Sequence, residues 1–421
     1  MGGKAHLLAK ENIVELVLLA LFAMMPFSLY VNSVLLNGFS VAGVSAVNAL
    51  TMLVLALCTI NSLWTANYKS IEAYSAFMAS LFFLLALLFK LFFQGGAEEA
   101  YGWIRQCQYY LLTPLMLFVV SNIKMPLSKV VNLLLLVSIP VCFVSLYSFV
   151  SSDYFDLIPY ETMEEYAIVG TSFCRMMGTF GSPNVAGCYY AIMLILVIFM
   201  RDEKRGLAAK ESSVLRAIQF SLLTVCLILS FSRMALIGFS IGVFIYIVTN
   251  KSSRKKAVRG PLAGILFAGI IVILIIVLMN SGAYFWGISD FVNNPRLEKW
   301  AAFFKNYGNW IILGSPIGQY IVSDGTTLSD SSLLLLVGFI GLIPAIIYIA
   351  LFLRPVITPC RMGSKYMAAV VMLLVFVLLS DFISLYPSAY MAIIMLRALD
   401  KHEVNIDEGT SSYSLLPLST R

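Results

Sequence analysis

Charge is scarce in this sequence: 12% of its 421 residues are Asp, Glu, Lys or Arg, against 60% that are hydrophobic. That is too little polar surface to cover a water-soluble domain of this size. Histidine is nearly absent, with His6 and His402 the only two. The body of the chain therefore has no imidazole for a metal site or for proton transfer. Its seven cysteines are scattered, mostly inside apolar runs, and form no CxxC pair. They read as small buried hydrophobes, and no metal or redox dithiol is expected. There is no P-loop, no GxSxG elbow and no HExxH. A nucleotide-driven pump is excluded, and any reaction must draw its free energy from the substrate. No period of 20 to 50 residues repeats, which excludes a solenoid.

Apolar runs are what the sequence has in abundance. Leu262 to Met279, Leu333 to Leu353 and Met367 to Leu379 reach or approach the roughly 20 residues that cross a bilayer core. None alternates polar with apolar residues, so they predict helices rather than the strands of a barrel. Lys4 and Lys10 precede an apolar stretch that resembles a signal peptide, but Phe27 to Ser33 offers no small-residue cleavage site. The stretch is read as a first membrane helix. Runs and breaks together predict an all-α integral membrane protein with about 12 transmembrane helices, at about 13–34, 41–60, 74–94, 107–121, 130–150, 184–200, 216–231, 233–249, 261–280, 331–353, 366–380 and 384–398.

The net charge of +6 carries its information in its distribution, not in any affinity for nucleic acid, which is not an expected partner. With a cytoplasmic N-terminus, 21 of 28 Lys and Arg fall in cytoplasmic segments; the other seven are Lys90, Arg105, Arg175, Arg233, Arg296, Lys299 and Lys305. The loops Arg201–Arg216 and Lys251–Arg259 alone hold ten basic residues, the positive-inside pattern. Both termini are thus expected in the cytoplasm. The organisation that follows is five helices over 1–150, an external loop at 151–183, helices six to nine over 184–280, a large external loop at 281–330, helices ten to twelve over 331–398, and a cytoplasmic tail at 399–421. The larger loop is rich in Trp and Tyr, and Asn294-Pro295-Arg296 opens an amphipathic pattern there, so a helical loop is expected.

Few charged residues lie near the outer face, and a cation next to lipid is costly without an anionic partner. Arg233 ends Ser230-Phe231-Ser232-Arg233, a break so tight that the guanidinium must sit in a hairpin; the alternative is a snorkelling topology marker. Arg175 precedes Gly178-Thr179-Phe180-Gly181-Ser182-Pro183-Asn184, a turn able to point backbone N–H groups at an anion beside Asn184, and equally an ordinary turn. Arg296 is either a third member or an ion pair with Glu298, and Arg105 either joins them or pairs with Glu98 and Glu99. Three guanidinium forks from separate loops would grip a polyanion such as a pyrophosphate at headgroup level. Asp330, just ahead of Ser331-Ser332-Leu333, is either a helix N-cap or a general base for a sugar hydroxyl.

Four pieces in order, Gly178 to Asn184, Ser230 to Arg233, Pro295-Arg-Leu-Glu-Lys-Trp300 with Gly314-Ser-Pro-Ile-Gly318, and Asp330 through Gly338-Phe-Ile-Gly341, resemble the O-antigen polymerase and O-antigen ligase superfamily over about residues 170–350. The resemblance implies a glycosyltransferase fold of the C type. It implies an inverting transfer of a glycan from undecaprenyl pyrophosphate to a hydroxyl on the outer face of the bacterial cytoplasmic membrane, without metal or cofactor. By matched motif, Arg175, Arg233 and Arg296 would bind the diphosphate; Asn184 and Arg105 are supporting candidates from the residue pattern, and Glu298 and Asp324 are reserve candidates for the base at Asp330. Ligases of this superfamily carry a histidine where Asp330 stands here, which favours the polymerase branch: joining lipid-linked repeats of O antigen, capsule or exopolysaccharide. A chain-length regulator and a flippase are the protein partners such an enzyme would work beside. The alternatives are a ligase passing the glycan to lipid A core or protein, and a polysaccharide transporter or flippase. A transporter should show ionisable groups and broken helices at mid-membrane, and the expected spans are almost free of charge at their centres.

The topology is directly testable. Single cysteines introduced near 205 and 255 should be labelled only from the cytoplasmic side, and those near 160 and 305 only from outside. Cytoplasmic labelling at 305 would remove the basis of the site.

Overall fold

A computed structural model describes residues 16–31, 40–41, 44–64, 71–93, 100–122, 127–151, 174–200, 207–249, 305, 312, 314, 331–357 and 363–412. These form an all-α bundle: α1 (Leu16–Tyr30), α2 (Ala46–Trp64), α3 (Ile71–Phe93), α4 (Ala100–Asn122), α5 (Leu127–Ser151), α6 (Pro183–Phe199), α7 (Leu207–Leu229), α8 (Arg233–Thr249), α9 (Ser332–Ile340), α10 (Leu342–Ile357), α11 (Ser364–Leu379) and α12 (Ser388–Ser412). Apart from helices there is a two-residue pairing of β1 (Ser40–Val41) with β2 (Val44–Ser45). The expected span at 261–280 lies outside the described residues.

α6 is apolar around its whole circumference, from Val185 to Phe199, and a helix with no polar face has to be surrounded. It is buried almost end to end, packed by α5, α7, α8 and α12. Serine and threonine inside the helices bond carbonyls three or four residues back: Thr51 Oγ1 donates to Val47 O (2.8 Å), Thr59 Oγ1 to Leu55 O (2.8 Å) and Ser145 Oγ to Val141 O (2.7 Å). Such bonds satisfy a hydroxyl without water.

The tightest helix pair is α8 with α11. Gly238 and Gly242 stand one turn apart, and a Cβ on Gly242 would lie 3.0 Å from Ala368 O and 3.1 Å from Met372 Cβ. This is the small-residue spacing that lets two helices approach backbone to backbone. Large apolar side chains lie on the outer surface, Trp64, Phe92, Val150 and Phe244 among them. Among the described residues two helices, over Val47–Trp64 and Leu127–Ser151, are long and apolar enough to cross a membrane.

Four boundaries depart from the sequence expectation, the first being the start of α7 at Leu207 where about 216 was expected. α4 begins at Ala100, not near 107, because hydropathy marks only the apolar part of a helix; Arg105 therefore sits on a helix. α12 runs past 398 to Ser412 for the same reason. The expected single helix over 331–353 is two: Gly341, at φ 88° and ψ 164°, ends α9, and its N–H bonds Val337 O. The Lys90 ammonium, 4% exposed, donates to Phe339 O at that break. A cation at a helix C-terminus is stabilised by the carbonyls left without intrahelical partners. Gly314, at φ 79°, packs against the same place, where a Cβ would stand 2.5 Å from Lys90 Nζ.

Gly242→Val should lower the melting temperature of the purified protein by an amount corresponding to about 1–3 kcal/mol of overpacking. Ile241→Val, at an exposed position of α8, should leave it unchanged.

Candidate functional site

Two of the motif segments meet at one end of the bundle. α6 starts with Pro183 at its first position, where the missing N–H costs nothing, and Asn184 follows. Preceding it, Gly178 (φ 54°) and Gly181 (φ 66°) adopt left-handed conformations around a short 3₁₀ turn, Gly178–Phe180. A side chain on Gly178 would strike Ser145 Oγ at 2.1 Å, so that turn requires glycine on two counts. Thr179 Oγ1 donates to Pro26 O (2.6 Å) and ties the turn to α1.

The second segment is the connection between α7 and α8. Ser230, Phe231 and Ser232 reverse the chain, with Phe231 at φ 48°, a positive angle that side chains other than glycine rarely adopt. Arg175 holds this reversal in place. Its Nε donates to Ser230 O (3.3 Å), and one Nη donates to Phe231 O (3.0 Å) and, at 3.5 Å, to Asn184 Oδ1. Ser232 Oγ donates to the same Asn184 oxygen (3.2 Å), and Met176 N–H donates to Leu229 O (3.0 Å). Underneath, a Cβ on Gly187 would lie 2.5 Å from Ser232 Cβ, so the reversal rests directly on the α6 backbone.

These bonds give the two arginines different duties. Arg175, half-buried, spends its fork on backbone carbonyls and builds the reversal. Arg233, the first residue of α8 and exposed, stands at the positive end of a helix, where N–H groups and guanidinium together favour an anion. Burial pushes the neighbouring Cys174 thiol up from its ordinary value, which makes it a poor nucleophile.

A third segment contributes a residue that the sequence reading passed over. Asp381 lies between α11 and α12, and its Oδ1 accepts from Tyr110 Oη (3.1 Å) and Ser332 Oγ (3.3 Å). Ser332 Oγ also accepts from Ile383 N–H (3.0 Å), and Tyr110 Oη is also 3.0 Å from Ser332 O. Both hydroxyl residues are fully buried, so Asp381 is fixed beside the start of α9. The signal was there: an aspartate in a short break between two apolar runs is the same pattern that singled out Arg233. Ser331 stands at the N-cap position of α9 without a side-chain cap hydrogen bond, and the expected cap or base Asp330 lies outside the described residues.

Of the expected site residues, Arg175, Asn184 and Arg233 are brought together at one reversal. Arg105 sits on α4. Arg296, Glu298, Asp324 and Asp330 lie outside the described residues, as does most of the loop at 281–330. Among the described residues no group of His, Cys, Asp and Glu is arranged to hold a metal. The chain matches no family model, no curated protein and no solved structure in the comparisons made.

Removing the Arg175 fork should loosen the reversal. Arg175→Ala should lose stability on the order of 1.5–3 kcal/mol, the worth of hydrogen bonds to a charged donor, and Arg175→Lys should recover only part of it because an ammonium lacks the planar fork. Thermal unfolding reads both, and an Arg175→Ala protein as stable as wild type would show that the Met176–Leu229 and Ser232–Asn184 bonds hold the reversal without the guanidinium.

Proposed function

We propose that this chain is a membrane-spanning polysaccharide polymerase that joins lipid-linked repeat units on the outer face of the bacterial cytoplasmic membrane. The observation that carries the reading is the meeting of Arg175, Asn184 and Arg233 at one reversal, from segments nearly 50 residues apart in sequence. The positive-inside charge pattern directs this end of the bundle outward, and the exposed apolar belt suits a lipid surrounding.

In this reading the donor is a glycan on undecaprenyl pyrophosphate. Arg233 and Arg296 grip the pyrophosphate oxygens while Arg175 keeps Arg233 aimed, and Arg105 adds positive field. The acceptor hydroxyl oxygen attacks the anomeric carbon from the face opposite the pyrophosphate. The bond from that carbon to the phosphate oxygen breaks, and its electron pair leaves with the lipid pyrophosphate. The hydroxyl proton passes to Asp330, with Glu298 and Asp324 in reserve. Inversion follows from the single displacement, and the arginines stabilise the charge that develops on the leaving group. No metal is called for, because guanidinium groups supply the positive charge.

A transporter reading gains one point from the break at Gly341, since transporters place ions and substrates at interrupted helices. Here the ionisable group at the break, Lys90, is committed to a carbonyl of α9, which suits a structural clamp. The ligase reading lacks an outer histidine.

Surface polysaccharide from a strain without this chain separates the classes. Single capped repeats support the polymerase, long chains left on the lipid carrier mark a ligase, and repeats retained inside mark a transporter. Complementation with Asp330→Asn should then reduce polymer by about 10²- to 10⁴-fold at equal expression if the carboxylate is the base. Wild-type chain length in that strain and in one carrying Arg233→Lys would overturn the assigned roles.

A further inference from the structure

The end of the bundle opposite the arginines carries a second feature. A groove of about 550 Å³, counting its open mouth, runs between α10, α11 and α12, and apart from Thr113 its walls are apolar, among them Phe352, Val356, Val370, Ile393 and Leu396. On α12 the wall follows a helical stripe from Ala389 through Ile393 to Leu396, which spans about 10 Å at 1.5 Å per residue. Arg397, four residues beyond Ile393, continues that stripe.

Arg397 is 7% exposed, and its Nε has no acceptor among the described residues. Its one described partner is Asp400, with Nη1 3.4 Å from Oδ2. A buried donor of this kind costs free energy until an acceptor meets it. Two further cations flank this end: Arg354 in the last turn of α10, and Lys365 in the first turn of α11, whose Nζ donates to Phe199 O at 2.9 Å. Among the described side chains, the carboxylate paired with Arg397 here is that of Asp400. The other end of the groove is walled by Phe382 and Ile383, directly beside the Asp381 carboxylate, which would repel an anion.

We propose that this groove and Arg397 bind an anionic phospholipid, with an acyl chain along the apolar stripe and a phosphate oxygen accepting from Arg397 Nε. Charge fixes which way round the lipid lies: the headgroup sits at the Arg354, Lys365 and Arg397 end and the chain points toward Ile383. With the charge pattern directing this end to the cytoplasm, the lipid comes from the inner leaflet, where anionic headgroups are concentrated and basic pockets between helices collect them. The site depends on the membrane embedding of the chain and not on glycan transfer, so a failed polymerase assay leaves it standing.

The test uses the purified full chain in neutral detergent, with phosphatidylglycerol and phosphatidylcholine added in turn. Bound lipid is read by native mass spectrometry and stabilisation by the melting temperature. Phosphatidylglycerol should bind and raise the melting temperature, and phosphatidylcholine of the same chain length should do so far less. Arg397→Gln should weaken phosphatidylglycerol about ten-fold or more, the loss expected for one charge-assisted hydrogen bond. Arg397→Lys should retain most of the binding, and Ala392→Trp, which fills the groove and leaves the headgroup end untouched, should abolish it. Equal binding of the two lipids overturns the proposal. So does wild-type affinity in both Arg397→Gln and Ala392→Trp.

Discussion

Most buried hydroxyls of the described bundle find their partners inside the protein, and that constraint accounts for much of the rest. A hydroxyl within a helix turns back on its own carbonyls, as in Thr51, Thr59 and Ser145. A hydroxyl between helices is shared, as Tyr190 Oη donates to Ser145 Oγ at 2.7 Å and Ser388 Oγ donates to Val185 O at 2.9 Å. Where the chain must leave the helix, the freed carbonyls need donors from elsewhere. Arg175 serves those of Ser230 and Phe231, and Lys90 serves that of Phe339. Arg175 and Lys90 thus serve backbone acceptors freed at helix ends, whereas Arg397 lies within α12 and pairs with Asp400. The arginine cluster has its structural side in this rule as much as any functional one.

The two ends of α9 illustrate how a short helix is fixed in such surroundings. At its start, Ser332 exchanges bonds with Ser380, Asp381, Ile383 and Tyr110. At its finish stand Lys90 and the Gly341 break. Between them Phe339 and Tyr348 pack around Tyr110, with ring centroids 5.7 and 6.4 Å away. A nine-residue helix gains little from its own propensity. Its orientation comes from these anchors, which belong to α3, α4 and α11.

The class of the fold was legible in the sequence because long apolar runs without alternation admit few structures other than helices. The two-arginine reversal was legible as well: Ser230-Phe-Ser-Arg233 breaks the chain too sharply to be anything but a turn, and Gly178 to Asn184 announces a glycine-dependent one. What the sequence could not convey is which partners a side chain takes. Arg175 and Arg233 look alike in the chain, and nothing in it shows that Arg175 bonds the carbonyls of Ser230 and Phe231. Lys90 read as a stray charge because its partner is 249 residues away. The break at Gly341 was hidden for a related reason. Glycine inside an apolar run is common, and hydropathy is blind to a φ of 88°.

Gly187 bears on how the site can behave mechanically. With no side chain between the α6 backbone and Ser232, the reversal has no compliant layer beneath it, and α6 is itself gripped on every side. A protein interior packed in this way transmits displacement instead of absorbing it. The arginine cluster is thus stiff toward the core and free to adapt only on the side away from α6. Any group that docks on this reversal would have to be accommodated by its own movement, since the floor beneath does not give.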